Sequence, residues 1–180
     1  MNISPEIESF VVHFGEMGSR WGFNRTVGQM FALIVLSEKA LNADQIASSL
    51  SISRGNVSMG LKELQSWQLI RTQVQSGDRK DYFRPNGTLW ELAMQVLSER
   101  RKREVDPTLS VLRSQLMTCE NEDNNYAHDK MREIHDLLEL FIQWFDDIQN
   151  MSPDNLRTLL KLGAGVGKVL DMKERLLTKS

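Results

Sequence analysis

Ser53-Arg54-Gly55-Asn56-Val57-Ser58-Met59-Gly60-Leu61-Lys62-Glu63-Leu64 is the stretch around which the fold turns. Ser53 is a residue type that caps helix N-termini, and Val57, Leu61 and Leu64 recur at the steps of one buried helical stripe. Gly55, Ser58, Met59 and Lys62 then point away from that stripe, with Arg54 and Asn56 flanking them at the N-terminal end. A bare, polar, partly basic helix face suits a DNA groove. Arg and Lys donate to the guanine edge, Asn pairs with adenine, and a Met methyl touches the methyl of thymine. Gly55 lets the backbone approach closely, and the free N–H groups at the helix start suit a phosphate.

Immediately upstream, Asn42-Ala43-Asp44-Gln45 predicts a capping box that opens a short helix with Ile46, Ala47 and Leu50 inward. The turn Ser51-Ile52-Ser53 is short enough to force a steep crossing of the two helices, and Ala47 is small enough for their closest approach. Ser51 stands where a glycine is common. Downstream, Ile70 to Val74 alternates as a strand does, Ser76-Gly77-Asp78 supplies a turn, and Tyr82-Phe83-Arg84 returns before Pro85 ends the pairing. This predicts a two-stranded wing with Arg79 and Lys80 at its tip, where a cation enters a minor groove or holds the phosphates beside it. From Ser51 to Pro85, six cations (Arg54, Lys62, Arg71, Arg79, Lys80, Arg84) face three acids (Glu63, Asp78, Asp81). The segment is basic within an acidic chain.

The whole chain has 180 residues and a formal net charge of −2. That length suits one domain or a small domain with a long extension, and charge distribution rather than total charge decides the partner. A single cysteine, Cys119, excludes an internal disulfide framework. No apolar h-region follows a basic start, and no apolar run approaches the roughly 20 residues of a membrane span, so a cytoplasmic protein without a membrane partner is expected.

Ser4-Pro5-Glu6 reads as a helix start, followed by Ile7, Phe10, Val11 and Phe14 at helical spacing, with Gly15, Gly18 and Gly22 breaking the pattern. A core helix follows from Arg25-Thr26, carrying Val27, Met30, Phe31, Ile34 and Val35. Beyond the wing, a helix from Leu89 runs through Leu92, Val96 and Leu97 into Arg100-Arg101-Lys102-Arg103, a basic run read as a solvated face, and Asp106-Pro107 re-caps or kinks it. After a loop at Asn121 to Asn125, Met131, Ile134, Leu138, Phe141, Phe145 and Ile148 form a regular apolar seam suited to packing along another helix. Ser152-Pro153-Asp154 starts a last helix with Leu156, Leu159, Leu160, Leu170, Met172 and Leu176.

Other signals are weaker. Gly163 to Lys168 imitates a phosphate loop, but Leu162 and Val169 stand where it needs a glycine and a hydroxyl residue. His13, His128 and His135 have no metal-ligand spacing, and no catalytic constellation emerges, so an enzyme is not expected. Trp21, Phe23, Trp67 and Trp90 could form an aromatic box for a quaternary ammonium ion, although aromatics at helical spacing more often build core.

The motifs Gly22-Phe23-Asn24-Arg25-Thr26-Val27-Gly28-Gln29-Met30, Leu41-Asn42-Ala43-Asp44-Gln45-Ile46-Ala47, Ser53 to Met59 and Gly77-Asp78-Arg79-Lys80-Asp81-Tyr82-Phe83 resemble the GbsR-type branch of MarR-like transcriptional regulators. The likeness covers about residues 20 to 105. It implies a mainly α fold: a winged helix-turn-helix with a two-stranded hairpin and long C-terminal helices for dimerisation. It also implies a homodimer, usually a repressor, that binds a double-stranded DNA operator, with relatives that sense choline. The expected organisation is a DNA-binding domain over residues 1–87 and a helical dimerisation or effector region over 88–180. Phosphate contacts are expected from Arg25, Thr26, Arg79, Lys80 and Arg84. The alternative is a winged-helix protein interaction module that works through its late heptad helix without specific DNA binding.

Overall fold

In a computed structural model, the protein is described over residues 4–20, 22–118 and 126–163. Two compact units divide the chain, Met1–Arg100 and Arg101–Ser180. The first contains helices α1 (Pro5–Arg20), α2 (Arg25–Leu36), α3 (Ala43–Leu50), α4 (Arg54–Ser66) and α5 (Leu89–Arg100), with strands β1 (Leu41–Asn42), β2 (Ile70–Val74) and β3 (Asp81–Pro85). The boundary falls after α5 rather than after residue 87, because Leu92 is buried in the first unit's core and Val96 packs against it.

α2 is the axis of this unit. Met30, Leu33 and Ile34 are fully buried, Phe31 and Ala32 nearly so, and α1, α3, α4 and β3 all pack around it. α1 does not stop at the glycines: it continues through Gly15 and Gly18 to Arg20, and both glycines are buried against α2. The expected break is therefore corrected to a close helix crossing, with Gly28 on the α2 side. The turn between them uses Gly22 at φ +87°.

The sheet has three strands in the order β1-β3-β2, one more than the hairpin alone, with Leu41 opposite Phe83 and Thr72 opposite Phe83 on the other side. Two residues are too few to show an alternation, so β1 left no periodic signal. Asn42 then ends the strand and caps α3: its side chain accepts from the Gln45 N–H at 3.0 Å while Gln45 Oε1 accepts from the Asn42 N–H at 2.8 Å. The capping box is closed in both directions.

In the second unit, a π-helical turn at Arg101–Val105 leads into α6 (Asp106–Thr118). Pro107 cannot donate its i→i−4 hydrogen bond, and the wider turn accommodates that missing donor. α7 (Tyr126–Gln149) packs on α6, and residues 153–163 are helical. Arg101 is not a solvated member of a basic run. Its guanidinium reaches Asp146 at 2.6 Å and lies 5.7 Å from the centre of the Phe145 ring. Cys119, the 121–125 loop, Leu170, Met172, Leu176 and the glycine run after Gly163 lie outside the described residues.

Candidate nucleic-acid interface

α4 is held by what its buried side touches. Val57 and Leu64 are fully buried, Leu61 is nearly so, and at Gly60 the helix lies so close to α2 that an added Cβ would displace the Met30 methyl. Ser53 caps the helix, its hydroxyl accepting from the Asn56 N–H at 3.2 Å. That hydroxyl accepts once within the fold and keeps its own O–H, and Ser53 stays exposed at the start of the helix. Ser51, at φ 52°, supplies the left-handed turn between α3 and α4 where a glycine is more usual.

The outer side of α4 is open. Asn56, Ser58, Met59 and Lys62 are exposed, Met59 to 66%. A side chain at Gly55 would meet nothing nearer than the Ser53 hydroxyl at 3.9 Å, so the backbone there is accessible. Beside this face runs the wing, tied to it by a hydrogen bond of 3.0 Å from the Gln65 amide to the Thr72 hydroxyl.

Arg54 and Lys80 do not project freely. The Arg54 guanidinium donates through Nε and Nη2 to Asp44 Oδ1, and the Lys80 ammonium lies 3.1 Å from Asp44 Oδ2. First Arg54 and then Lys80 hold the Asp44 carboxyl below its ordinary value of 3.8. These three residues line one cleft of about 380 Å³ with Ser58, Lys62 and Asp81. Lys80 is thus drawn back from the wing tip toward the start of α4. The tip itself is the turn containing Gly77 at φ +85°. Asp78 shapes the turn, accepting from the Lys80 N–H at 3.0 Å and from the Tyr82 hydroxyl at 2.8 Å.

The remaining expected contacts divide. Arg79 is exposed beside the cleft-forming Lys80. Arg84 lines a separate cleft of about 450 Å³ with Ser37, Lys39 and Gln73, and stands directly opposite Arg71 across the strands. Arg25 pairs with Glu16 at 3.3 Å, Thr26 lies at the start of α2 under the Asn24 cap, and neither lines either cleft. Asp44 escaped the sequence reading because its only visible role was in a helix first turn. Arg71 adds to the segment's charge, and no local pattern places it.

Two of the four aromatics take the core place that helical spacing favours. Phe23 and Trp67 are core residues, with ring centres 4.2 Å apart and no room for a cation between them. Trp90 is half-buried, and Trp21 lies outside the described residues. Among the described residues no cluster of His, Cys, Asp or Glu could hold a metal ion, and no helix is long and apolar enough to cross a membrane.

The late seam splits into two sides. Met131, Leu138 and Phe145 are half-buried on the side that carries the 2.7 Å link from Arg113 of α6 to Glu139. Ile134 and Phe141 are 50% and 57% exposed, beside the equally open Leu137 and Trp144. Ile148 is buried.

A helix with an apolar back, a polar front and a hairpin at its flank, preceded by a short capped helix, defines a winged helix-turn-helix. A solved structure described as a transcriptional regulator shares this fold, with 21% identity over 81% of this chain and 96% of that chain and a TM-score of 0.62. The chain also aligns with the adhesin competence repressor of Streptococcus pyogenes (21% identity, 81% and 96% covered, TM-score 0.36). A MarR transcriptional regulator from Methanosarcina mazei aligns at 16% identity, with 79% and 93% covered and a TM-score of 0.33. The last two scores are too low to superpose the folds. No family model matches the chain, and no curated protein matches it.

Proposed function

We propose that this chain is a sequence-specific, double-stranded DNA-binding transcriptional regulator of the MarR-like kind, a cytoplasmic homodimer that represses by occupying its operator. The observation that carries this is the α4 front: Asn56, Ser58, Met59 and Lys62 exposed together over a buried Val57, Leu61 and Leu64, with a cationic wing alongside. Such a face has the donors, acceptor and methyl that read base edges in a major groove, and the neighbouring cations supply phosphate affinity. A dimer would insert two such helices about 34 to 36 Å apart, one DNA turn. The open side of α7, with Ile134, Leu137, Phe141 and Trp144, supports the homodimer, since so many large apolar groups on one helix face mark an association surface.

Selection of genomic DNA fragments at two salt concentrations tests the reading. A palindromic sequence should be enriched, with binding that weakens steeply as salt rises. No enrichment and no salt dependence would leave the interaction-module alternative.

A further inference from the structure

Arg71 of β2 and Arg84 of β3 stand directly opposite each other. Side chains so placed leave the same face of a sheet with Cβ atoms about 4.5 to 5.5 Å apart, where like charges repel. Among the described residues no carboxylate pairs with either. Arg84 lines the cleft of about 450 Å³, to which Lys39, from the segment between α2 and β1, adds a third cation and Gln73 and Gln75 add two side-chain amides without a partner among the described residues. Glu38 also lines the cleft and pairs with none of these cations. Strand alternation decides which way the cleft looks. Thr72 and Phe83 leave the other face of the sheet, where the Thr72 hydroxyl accepts from Gln65 of α4 and Phe83 lines the cleft that holds Arg54 and Lys62.

We infer that the Arg84 cleft is a binding site for a small organic anion bearing carboxylate or phosphate oxygens, held by Arg84 and Lys39 with Arg71 adding its charge. Such a ligand supplies the counter-charge that this face of the sheet lacks, and a guanidinium can meet two of its oxygens at once. The Gln73 and Gln75 amides have donors for further oxygens. The cleft volume falls within the roughly 300 to 1,000 Å³ of small-molecule sites. A duplex seated on α4 lies toward the opposite face of the sheet, which favours a free anion over a DNA phosphate. The ligand is opposite in charge to the quaternary ammonium ion that an aromatic box would take. Bound there, it would tie the segment before β1 to both strands of the wing. The site would stand even for a protein that binds no DNA.

The test titrates the ¹⁵N-labelled full chain with citrate and, separately, with inorganic phosphate, each replacing chloride at constant ionic strength. Saturable shifts are expected at the side-chain N–H signals of Arg84, Gln73 and Gln75 with at least one of the two anions. Arg84→Gln and Lys39→Gln should each weaken that binding about tenfold or more, while Arg79→Gln, at the wing, should leave it unchanged. Arg84→Gln relieves the like-charge pair, so its urea midpoint should be no lower than the parent's. Shifts that grow without saturating, that fall equally on Arg79 and Lys80, or that survive both cleft variants would mean general screening by anions and overturn the inference. A second arm separates the two sources of phosphate. On a genomic fragment selected by the parent, Arg84→Gln should leave the salt dependence unchanged. A salt slope lowered by about one would assign the cation to a DNA phosphate, overturning the small-anion site while supporting the DNA-binding reading.

Discussion

Gly15 of α1 and Gly28 of α2 face each other so closely that a Cβ added to Gly28 would stand 3.2 Å from the Gly15 Cα. On the Gly15 side a Cβ would come within 2.8 Å of the Arg25 carbonyl oxygen, a backbone atom that cannot turn aside. Gly15→Ala should therefore destabilise the protein. Overpacking costs about 1 to 3 kcal/mol, and the better helix propensity of alanine returns up to about 1. Gly55→Ala, in open space, should leave stability unchanged or slightly raised. Urea midpoints of the two variants, measured together, separate crossing from propensity.

Base reading and phosphate holding should part company between α4 and the wing. Asn56→Ala should relax preference at one base pair by about 1 to 3 kcal/mol, whereas Arg79→Ala should weaken all sequences alike and lower the salt slope by about one. Titration of a set of single-base operator variants shows which has occurred. A uniform loss from Asn56→Ala would remove it from the base-reading set.

Asp78 gives the wing a defined acid response. The Tyr82 hydroxyl, and after it the Lys80 N–H, hold its carboxyl below the ordinary value of 3.8. Because the folded value is the lower one, the unfolded chain takes up the proton first as pH falls. Its contribution is then complete above the unfolded value and lost as pH drops through the folded one. Urea midpoints of the parent should fall more steeply than those of Asp78→Asn between about pH 5 and 3, with no difference in slope near neutrality.

The two sides of α7 should respond differently. Phe141→Asp, on the open side, should leave the helical content intact and convert a dimer to monomer in sedimentation velocity. Leu138→Ala, on the half-buried side, should instead cost stability, about 1 to 2 kcal/mol for a partly buried leucine, with the sedimenting species unchanged. A dimer that survives Phe141→Asp would place its contact elsewhere.

The sequence by itself determined the elements whose signals are local. The Ser53 cap and the Val57, Leu61, Leu64 stripe define α4 from within, the Asn42 and Gln45 box defines the start of α3, and the turn at Gly77 with its alternating flanks defines the wing. Each follows from backbone hydrogen bonding or side-chain period, which neighbouring residues fix among themselves. Tertiary structure alone decided the rest. Gly15 looked like a break because glycine disfavours helices, and only α2 across from it shows why a side chain was excluded. The local pattern around Trp67 favours core without excluding a ligand box, and Phe23 packed on its ring decides for core. Arg54 and Lys80, 26 positions apart in the chain, were brought to the same Asp44 carboxylate by the crossing of α3 over α4 and the return of the wing, a meeting that no local pattern encodes.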